Sequence, residues 1–413
     1  MDKETRTPCR FCAAPLEEVV ADLGTSPLAN SLIAPDQLQM MEPTYPLRVY
    51  VCDRCFLVQL QEFESAQHIF SDYSYFSSYS ESWLRHCEIY SQRMIAMLGL
   101  TAESKVVEVA SNDGYLLQYF ARAAIPILGI EPAANVAAVA EQRGIPTDVS
   151  FFSVATAIRM GDAGQFADLI VANNVLAHVP DINDFVAALR YLLKPQGIVT
   201  IEFPHVLNLI ELSQFDTIYH EHFSYLSLGV VQRILARHGL TVFDVEELST
   251  HGGSLRIFAQ RAESTIRPED VRVRELRLRE QRAGLEDVVA YRNFQQRIVE
   301  IKLGLLEFLV AAKRAGKRVA GYGAPAKGNT LLNYCGIGPE LLEYTVDLSP
   351  HKQTHYLPGV RIPVYSPERI FETRPDFVLI LPWNLRDEIA EQMRDIRRWN
   401  GRFAVPIPKL EIF

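Results

Sequence analysis

What the chain lacks narrows it first. No uninterrupted apolar run in its 413 residues approaches the roughly 20 needed to span a bilayer. Met1 to Pro8 is polar, carries both charge signs and has no apolar core of a leader. The expected setting is the cytoplasm, with no membrane partner. Basic residues are outnumbered, 41 Lys and Arg against 50 Asp and Glu, for a net charge of -9. With no long Lys/Arg run to offset phosphates, a sequence-independent nucleic-acid binder is excluded. Cysteines number only six, and in a reducing compartment clustered ones read as metal ligands or catalytic groups rather than disulfides.

Length and composition, 48% hydrophobic and 22% charged, suit a globular chain of two or three domains. Four of the cysteines fall in residues 1–70 as Cys9-x-x-Cys12 and Cys52-x-x-Cys55. Each two-residue spacing lets both thiolates reach one tetrahedral ion from a tight turn, and two such knuckles close the site. We therefore expect a structural zinc held by Cys9, Cys12, Cys52 and Cys55, stapling a module too small to rest on its own core. Cys87 and Cys335 have no paired neighbour and read as small apolar residues.

From 71 to 263 the pattern alternates. A helix over 80–98 leads into strands at Val106–Val109, Ile127–Ile130, Leu169–Ala172, Ile198–Phe203 and Leu255–Gln260, with helices between the earlier ones. Such alternation predicts an α/β fold with a mostly parallel, Rossmann-like sheet. Residues 264–316 have Arg, Glu and Leu at helical spacing and no proline after Pro268, which reads as one long helix or a helical pair. A second, C-terminal Rossmann-like unit is expected over 317–413, with strands at Arg318–Gly321, Leu341–Val346, Val360–Val364 and Phe377–Leu381.

The first strand runs into Glu108-Val109-Ala110-Ser111-Asn112-Asp113-Gly114, a turn that brings backbone close to a ligand at the carboxyl end of a parallel sheet. Class I methyltransferases carry Glu/Asp-x-Gly there, and Ala110 stands where that glycine is expected. Glu131 ends the next strand, where an acidic side chain accepts from both ribose hydroxyls of a nucleoside. A nicotinamide cofactor would need a Gly-x-Gly-x-x-Gly turn for its pyrophosphate, and none is present. The donor expected is S-adenosylmethionine, on Glu108, Ala110, Asn112, Asp113, Gly114, Glu131 and, at the fourth strand's end, Asn173 and Asn174.

Between the fifth strand and the domain's end lies Tyr219-His220-Glu221-His222-Phe223. His222, with Glu221 beside it, could supply a general base near neutral pH. The C-terminal unit has its own glycine turn, Gly321 to Asn329, whose backbone donors with Lys327 could hold a phosphate. Asp347 and Lys352 follow the next strand, where they could face a nucleotide.

Taken together, the two Cys-x-x-Cys pairs, Leu23-Gly24-x-x-Pro27-Leu28-Ala29-Asn30, Tyr73-Ser74-Tyr75-Phe76-Ser77-Ser78, Ser111-Asn112-Asp113-Gly114, Tyr219-His220-Glu221-His222-Phe223, His251-Gly252-Gly253-Ser254-Leu255-Arg256 and Gly321-Tyr322-Gly323-Ala324-Pro325-Ala326-Lys327 resemble one family. It is that of the three-domain sugar C-methyltransferases acting on nucleotide-linked keto-deoxysugars, and the resemblance covers essentially the whole chain. It implies methylation next to a ketone, usually at carbon 3 of a dTDP-4-keto-deoxysugar. In that reading His222 is the base, Tyr219 and Glu221 position it or contact the sugar, His178 sits near the ketone, and Tyr73 or Tyr75 closes over the reacting centre. Tyr322, Lys327, Asp347 and Lys352 face the nucleotide sugar, and zinc stays out of the chemistry. A sugar O-methyltransferase, a donor-binding protein without activity and an NAD-dependent sugar oxidoreductase are the alternatives. The oligomeric state stays open, a monomer included.

Overall fold

The computed structural model describes residues 7–70 and 76–413. Among them, no helix is long and apolar enough to cross a membrane. Three sheets organise the molecule. The first begins with β1 (Glu18–Ser26), β2 (Tyr45–Val51) and β3 (Val58–Leu60), all antiparallel neighbours. Alternating burial along β2, with Leu47, Val49 and Val51 inward, seals this face.

The second sheet is built from β4 (Val106–Val109), β5 (Ile127–Ile130), β6 (Thr147–Asp148), β7 (Ala167–Asn173) and β8 (Leu193–Pro204). After β8 the chain returns to the first sheet for a two-residue strand, β9 (Ser224–Tyr225), antiparallel to β3. It then adds β10 (Leu240–Leu248) and β11 (Ser254–Arg261), giving the order β10-β11-β8-β7-β4-β5-β6. β4 to β8 are parallel, whereas β11 runs antiparallel between β8 and β10. Helices cover both faces, so β4 is buried at every residue and β7 at all but Asp168. The chain moves outward from β4 to β5 on one side and to β7 on the other, and this reversal opens a crevice at the strands' carboxyl ends.

Of the two forms expected for residues 264–316, one long helix or a helical pair, the structure has the pair. Helices Val271–Arg282 and Phe294–Arg314 are separated by a turn at Gly284, whose φ of 79° stops the first. The third sheet follows, with β12 (Val319–Tyr322), β13 (Thr345–Val346), β14 (Val364–Tyr365), β15 (Phe377–Ile380), β16 (Arg402–Val405) and β17 (Glu411–Ile412), in the order β14-β13-β12-β15-β16-β17. All but β17 are parallel. Its switch point lies at β12, so the carboxyl edges of two α/β sheets border one cavity between them.

Candidate active site and metal centre

The two cysteine pairs form matching knuckles. Cys9 N–H donates to Ala14 O (2.7 Å) and Ala13 N–H to Cys9 O (2.9 Å); Cys52 N–H donates to Leu57 O (3.0 Å) and Phe56 N–H to Cys52 O (2.9 Å). The residue after each pair is left-handed, Ala13 at φ 61° and Phe56 at φ 63°. The four thiols converge, Cys9 and Cys55 at 3.5 Å, Cys12 and Cys52 at 3.5 Å, with all four sulfurs within 4.8 Å of one another. Zinc–sulfur bonds of about 2.3 Å put tetrahedral sulfurs about 3.8 Å apart, so the set fits zinc with no open position. Gln59 Nε2–H donates to Cys9 Sγ (3.1 Å), fixing a ligand from outside the metal shell.

The cavity between the α/β sheets measures about 1170 Å³. On its donor side, Ala110, Asn112 and Gly114 all take positive φ (57°, 49° and 78°), so the turn after β4 is as tight as a glycine loop although Ala110 has a side chain. Asn112 N–H and Ala133 N–H donate to the two Glu131 oxygens at 2.9 Å each. These bonds aim the carboxylate at the cavity and leave lone pairs for two hydroxyls. Burial raises the Glu131 carboxyl above its usual range. Asn173 is buried against the cavity with both amide atoms unpartnered, the mark of a ligand position. Asn174, at φ 53°, donates from Nδ2 to His251 Nε2 (3.3 Å). Phe151 and Phe152 supply apolar wall.

Three of the donor-site residues expected from sequence do not line this wall. Glu108 is wholly buried beneath the turn, and burial pushes its carboxyl well above the usual range. Asp113 turns away to the Ser78 hydroxyl and the Arg143 guanidinium (3.0 Å). Gly114 serves packing, since a Cβ there would stand 2.7 Å from Ile145 Cγ1. Ser77 N–H donates to Asn112 Oδ1 (2.9 Å), so the segment before the helix Glu81–Leu98 lies across the donor turn. Tyr73 and Tyr75 lie outside the described residues.

Elsewhere on the wall, Tyr219, His222 and His178 line the cavity together. His222 Nδ1–H donates to Thr217 O (2.8 Å), and a carbonyl can only accept, so the lone pair is on Nε2. The Tyr219 hydroxyl donates to that Nε2 at 2.9 Å. His178 is fixed likewise, Nδ1–H donating to Glu221 O (2.8 Å), with its ring 4.8 Å from that of His222. Burial, then the neighbouring His178, holds His222 well below the usual histidine range, and burial takes His178 down to about 4. Both rings are neutral at pH 7. Glu221 does not line the cavity itself; its carboxylate accepts from Nδ2 of the lining residue Asn30 (2.7 Å).

From the opposite rim, Lys327 reaches in above Trp383, its Nζ 4.3 Å from the ring, and donates to Asn384 Oδ1 (2.6 Å). Burial draws its ammonium down to about 8, countered by the charge of Asp216. Lys352 also lines the cavity and donates to Ala324 O (2.9 Å). Tyr322 and Asp347 do not. The Tyr322 hydroxyl donates to Gln392 Oε1 (3.2 Å), and Asp347 accepts from Ala324 N–H (2.8 Å) and Ser349 N–H (2.9 Å), tying the turn before Lys327 to the segment that carries Lys352.

Two lining residues escaped the expected site. His251, left-handed at φ 53°, stands between Asn174 and Trp83, whose ring centroid is 5.4 Å from its own. It lies in a motif that was quoted for resemblance alone. His86 stacks on Trp83 at 4.9 Å and bonds Glu202 (3.1 Å), a contact made by folding that no local pattern announces.

This sheet order and donor crevice define the class, a class I S-adenosylmethionine-dependent methyltransferase. Family models match three consecutive stretches: a zinc binding domain over 9–70, a methyltransferase domain over 78–245 and a C-methyltransferase C-terminal domain over 249–408. C-methyltransferase NovU of Streptomyces niveus is 36% identical over 97% of this chain and 95% of its own. A ubiquinone biosynthesis O-methyltransferase of Bartonella quintana is 29% identical over 24% of the chain and 40% of its own. Magnesium protoporphyrin IX methyltransferase of Synechocystis PCC 6803, solved with bound SAH, is similar over 43% of the chain and 82% of its own, at 16% identity and a TM-score of 0.35. The chain belongs to the C-methyltransferase family with zinc-binding and C-terminal domains, to which NovU belongs. Its methyl donor is S-adenosylmethionine, and its four-cysteine cluster is a structural zinc site.

Proposed function

We propose that the chain methylates a carbon beside the ketone of a nucleotide-linked keto-deoxysugar, at carbon 3 of a dTDP-4-keto-deoxysugar, with His222 as the base. The observation that carries this reading is the Tyr219–His222–Thr217 chain, set in the same cavity as the donor turn. A carbon beside a carbonyl becomes nucleophilic only after losing its proton, and a neutral imidazole with its Nε2 lone pair facing the cavity can take it. Tyr219 must then swing from Nε2 to the substrate, where its hydroxyl is a donor for the enolate oxygen. His178 Nε2 is the second polar group at that point. The donor supplies an electrophilic methyl on a sulfonium. The enolate carbon forms the new C–C bond as the methyl–sulfur bond breaks, and the abstracted proton stays on His222. Lys327 and Lys352, on the facing rim, suit the phosphates of the nucleotide.

The experiment is mass spectrometry of protein, S-adenosylmethionine and dTDP-4-keto-6-deoxy or 2,6-dideoxy sugars, for wild type and His222→Ala. One methylene mass gained by wild type and lost in the variant is expected. Without donor, wild type should also exchange the sugar's carbon-bound proton with deuterated water. Methyl gain with no such exchange would replace this reading by O-methylation, and no gain on any keto-sugar would remove the sugar.

A further inference from the structure

The N-terminal zinc module touches the acceptor loop at nearly every residue. His220 Nε2 lies 3.2 Å from Pro46 O, the Glu221 carboxylate accepts from Asn30, and Phe223 O accepts from Leu60 N–H (3.0 Å). Ser224 and Tyr225 form β9, the outer strand of the module's own sheet. The loop carrying His222 thus takes its shape from the first 60 residues.

One side chain ties this contact to the metal. Arg10 lies between the ligands Cys9 and Cys12. Its backbone N–H donates to Gln59 Oε1 (2.9 Å), the same side chain that donates to Cys9 Sγ. Its guanidinium donates from Nη1 to Pro180 O (2.7 Å), two residues beyond His178. From Nη2 it donates to Leu60 O (2.6 Å), and its carbon lies 5.3 Å from the centre of the Phe223 ring, beside His222. The planar fork joins the His178 loop to Leu60 of β3, whose own N–H holds Phe223 O of the His222 loop, and a single-point cation cannot serve both carbonyls. Asn183 Nδ2 closes the junction on Arg10 O (3.2 Å) and Phe11 O (3.0 Å).

We infer that Arg10 is a positioning residue through which the zinc knuckle sets His178 and His222 against each other, giving the metal a role in catalytic geometry without any contact to substrate. It rests on the assignment of His222 and His178 to the reacting site, but its test needs no substrate. A knuckle that loses Arg10 keeps its four thiolates and its zinc. It loses the two carbonyl clamps, so the His178 loop is no longer tied to the module and the close spacing of the two imidazoles, which holds each against protonation of the other, is no longer fixed.

The test is the Arg10→Ala variant of the full chain, with Arg10→Lys as the conservative partner, both made with 15N-labelled histidine. Signals are assigned through His178→Asn and His222→Asn. Zinc per chain and the S-adenosylmethionine dissociation constant should match wild type. The His178 and His222 titrations should rise toward the ordinary histidine value by about one pH unit or more in Arg10→Ala. In Arg10→Lys, where one carbonyl can still be served, they should rise by less. Unmoved titrations in a zinc-loaded, donor-binding Arg10→Ala protein overturn the inference. If Arg10→Ala sheds its zinc or fails to fold, Arg10→Lys decides, and wild-type titrations there overturn it equally. Failure of keto-sugar turnover would refute the proposed reaction alone, because these signals are read without acceptor.

Discussion

Replacing His178 by Asn should flatten the acid side of the protein's stability curve. The imidazole is held to about 4 in the fold against 6.5 unfolded. Below pH 6.5 the unfolded chain binds a proton that the native chain refuses, so native stability falls as pH falls, by about 1.4 kcal/mol per unit. The loss begins near 6.5, reaches about 3 kcal/mol by pH 4, and then levels because both states are protonated. Carboxyls raised by burial work in the opposite direction. Asp216, raised to about 6, Glu131 and Glu108 take up protons in the native state first and add stability on acidification. The wild-type curve alone therefore mixes signs, and the difference between wild type and His178→Asn removes the carboxyl contributions and leaves that of the histidine pair, chiefly His178. Asparagine is a fair replacement because its amide can still donate to Glu221 O. Urea unfolding at pH 7.5, 6.5, 5.5 and 4.5 should show wild type losing about 2–3 kcal/mol more than the variant across that range. Parallel curves would mean that the ring is not held neutral, and the account of the paired histidines would go with it.

Gly114→Ala should cost about 1–3 kcal/mol in urea unfolding, because φ is 78° and the new Cβ meets Ile145 at 2.7 Å; a neutral result would refute that packing. Cys52→Ser should abolish zinc binding and expose residues 9–70 to protease, while retained stoichiometric zinc would break the four-thiolate assignment. Lys327→Met should raise the acceptor KM about 10-fold or more and leave donor affinity unchanged. An unchanged KM would place the phosphates elsewhere. The rate should stay level as pH drops through 6.5 and fall only when the depressed His222 is protonated. An acid limb centred at 6.5 or above would show an unshifted ring.

Local pattern made much of the fold readable. Apolar runs at Ile127–Ile130 and Phe377–Ile380, and Val106–Val109 around Glu108, are buried parallel strands, and the lack of polar alternation announces two covered faces. Less was readable away from the sheet centres. β10 and β16 carry no strand expectation, and β13 and β14 are two residues each, shorter than the segments expected there, since pairing is fixed by neighbouring strands as much as by a strand's own residues. Gly284 broke the continuous helical pattern of 264–316 because a left-handed residue ends a helix whatever its flanks prefer.

By itself the sequence located the cysteine cluster and the tight turn after β4, because both are local. Two residues between cysteines, or an acidic residue closing a strand, constrain backbone within a few bonds. Only the tertiary structure decided which polar residues meet. Glu108, Asp113, Tyr322 and Asp347 are spent on packing and loop hydrogen bonds, while His251 and His86 reach the cavity from segments far apart in the chain. Arg10 joins a cysteine knuckle to Pro180 and Leu60, which are 170 and 50 residues away. Such contacts arise from sheet order and docking, and nothing in the residues between them encodes the meeting.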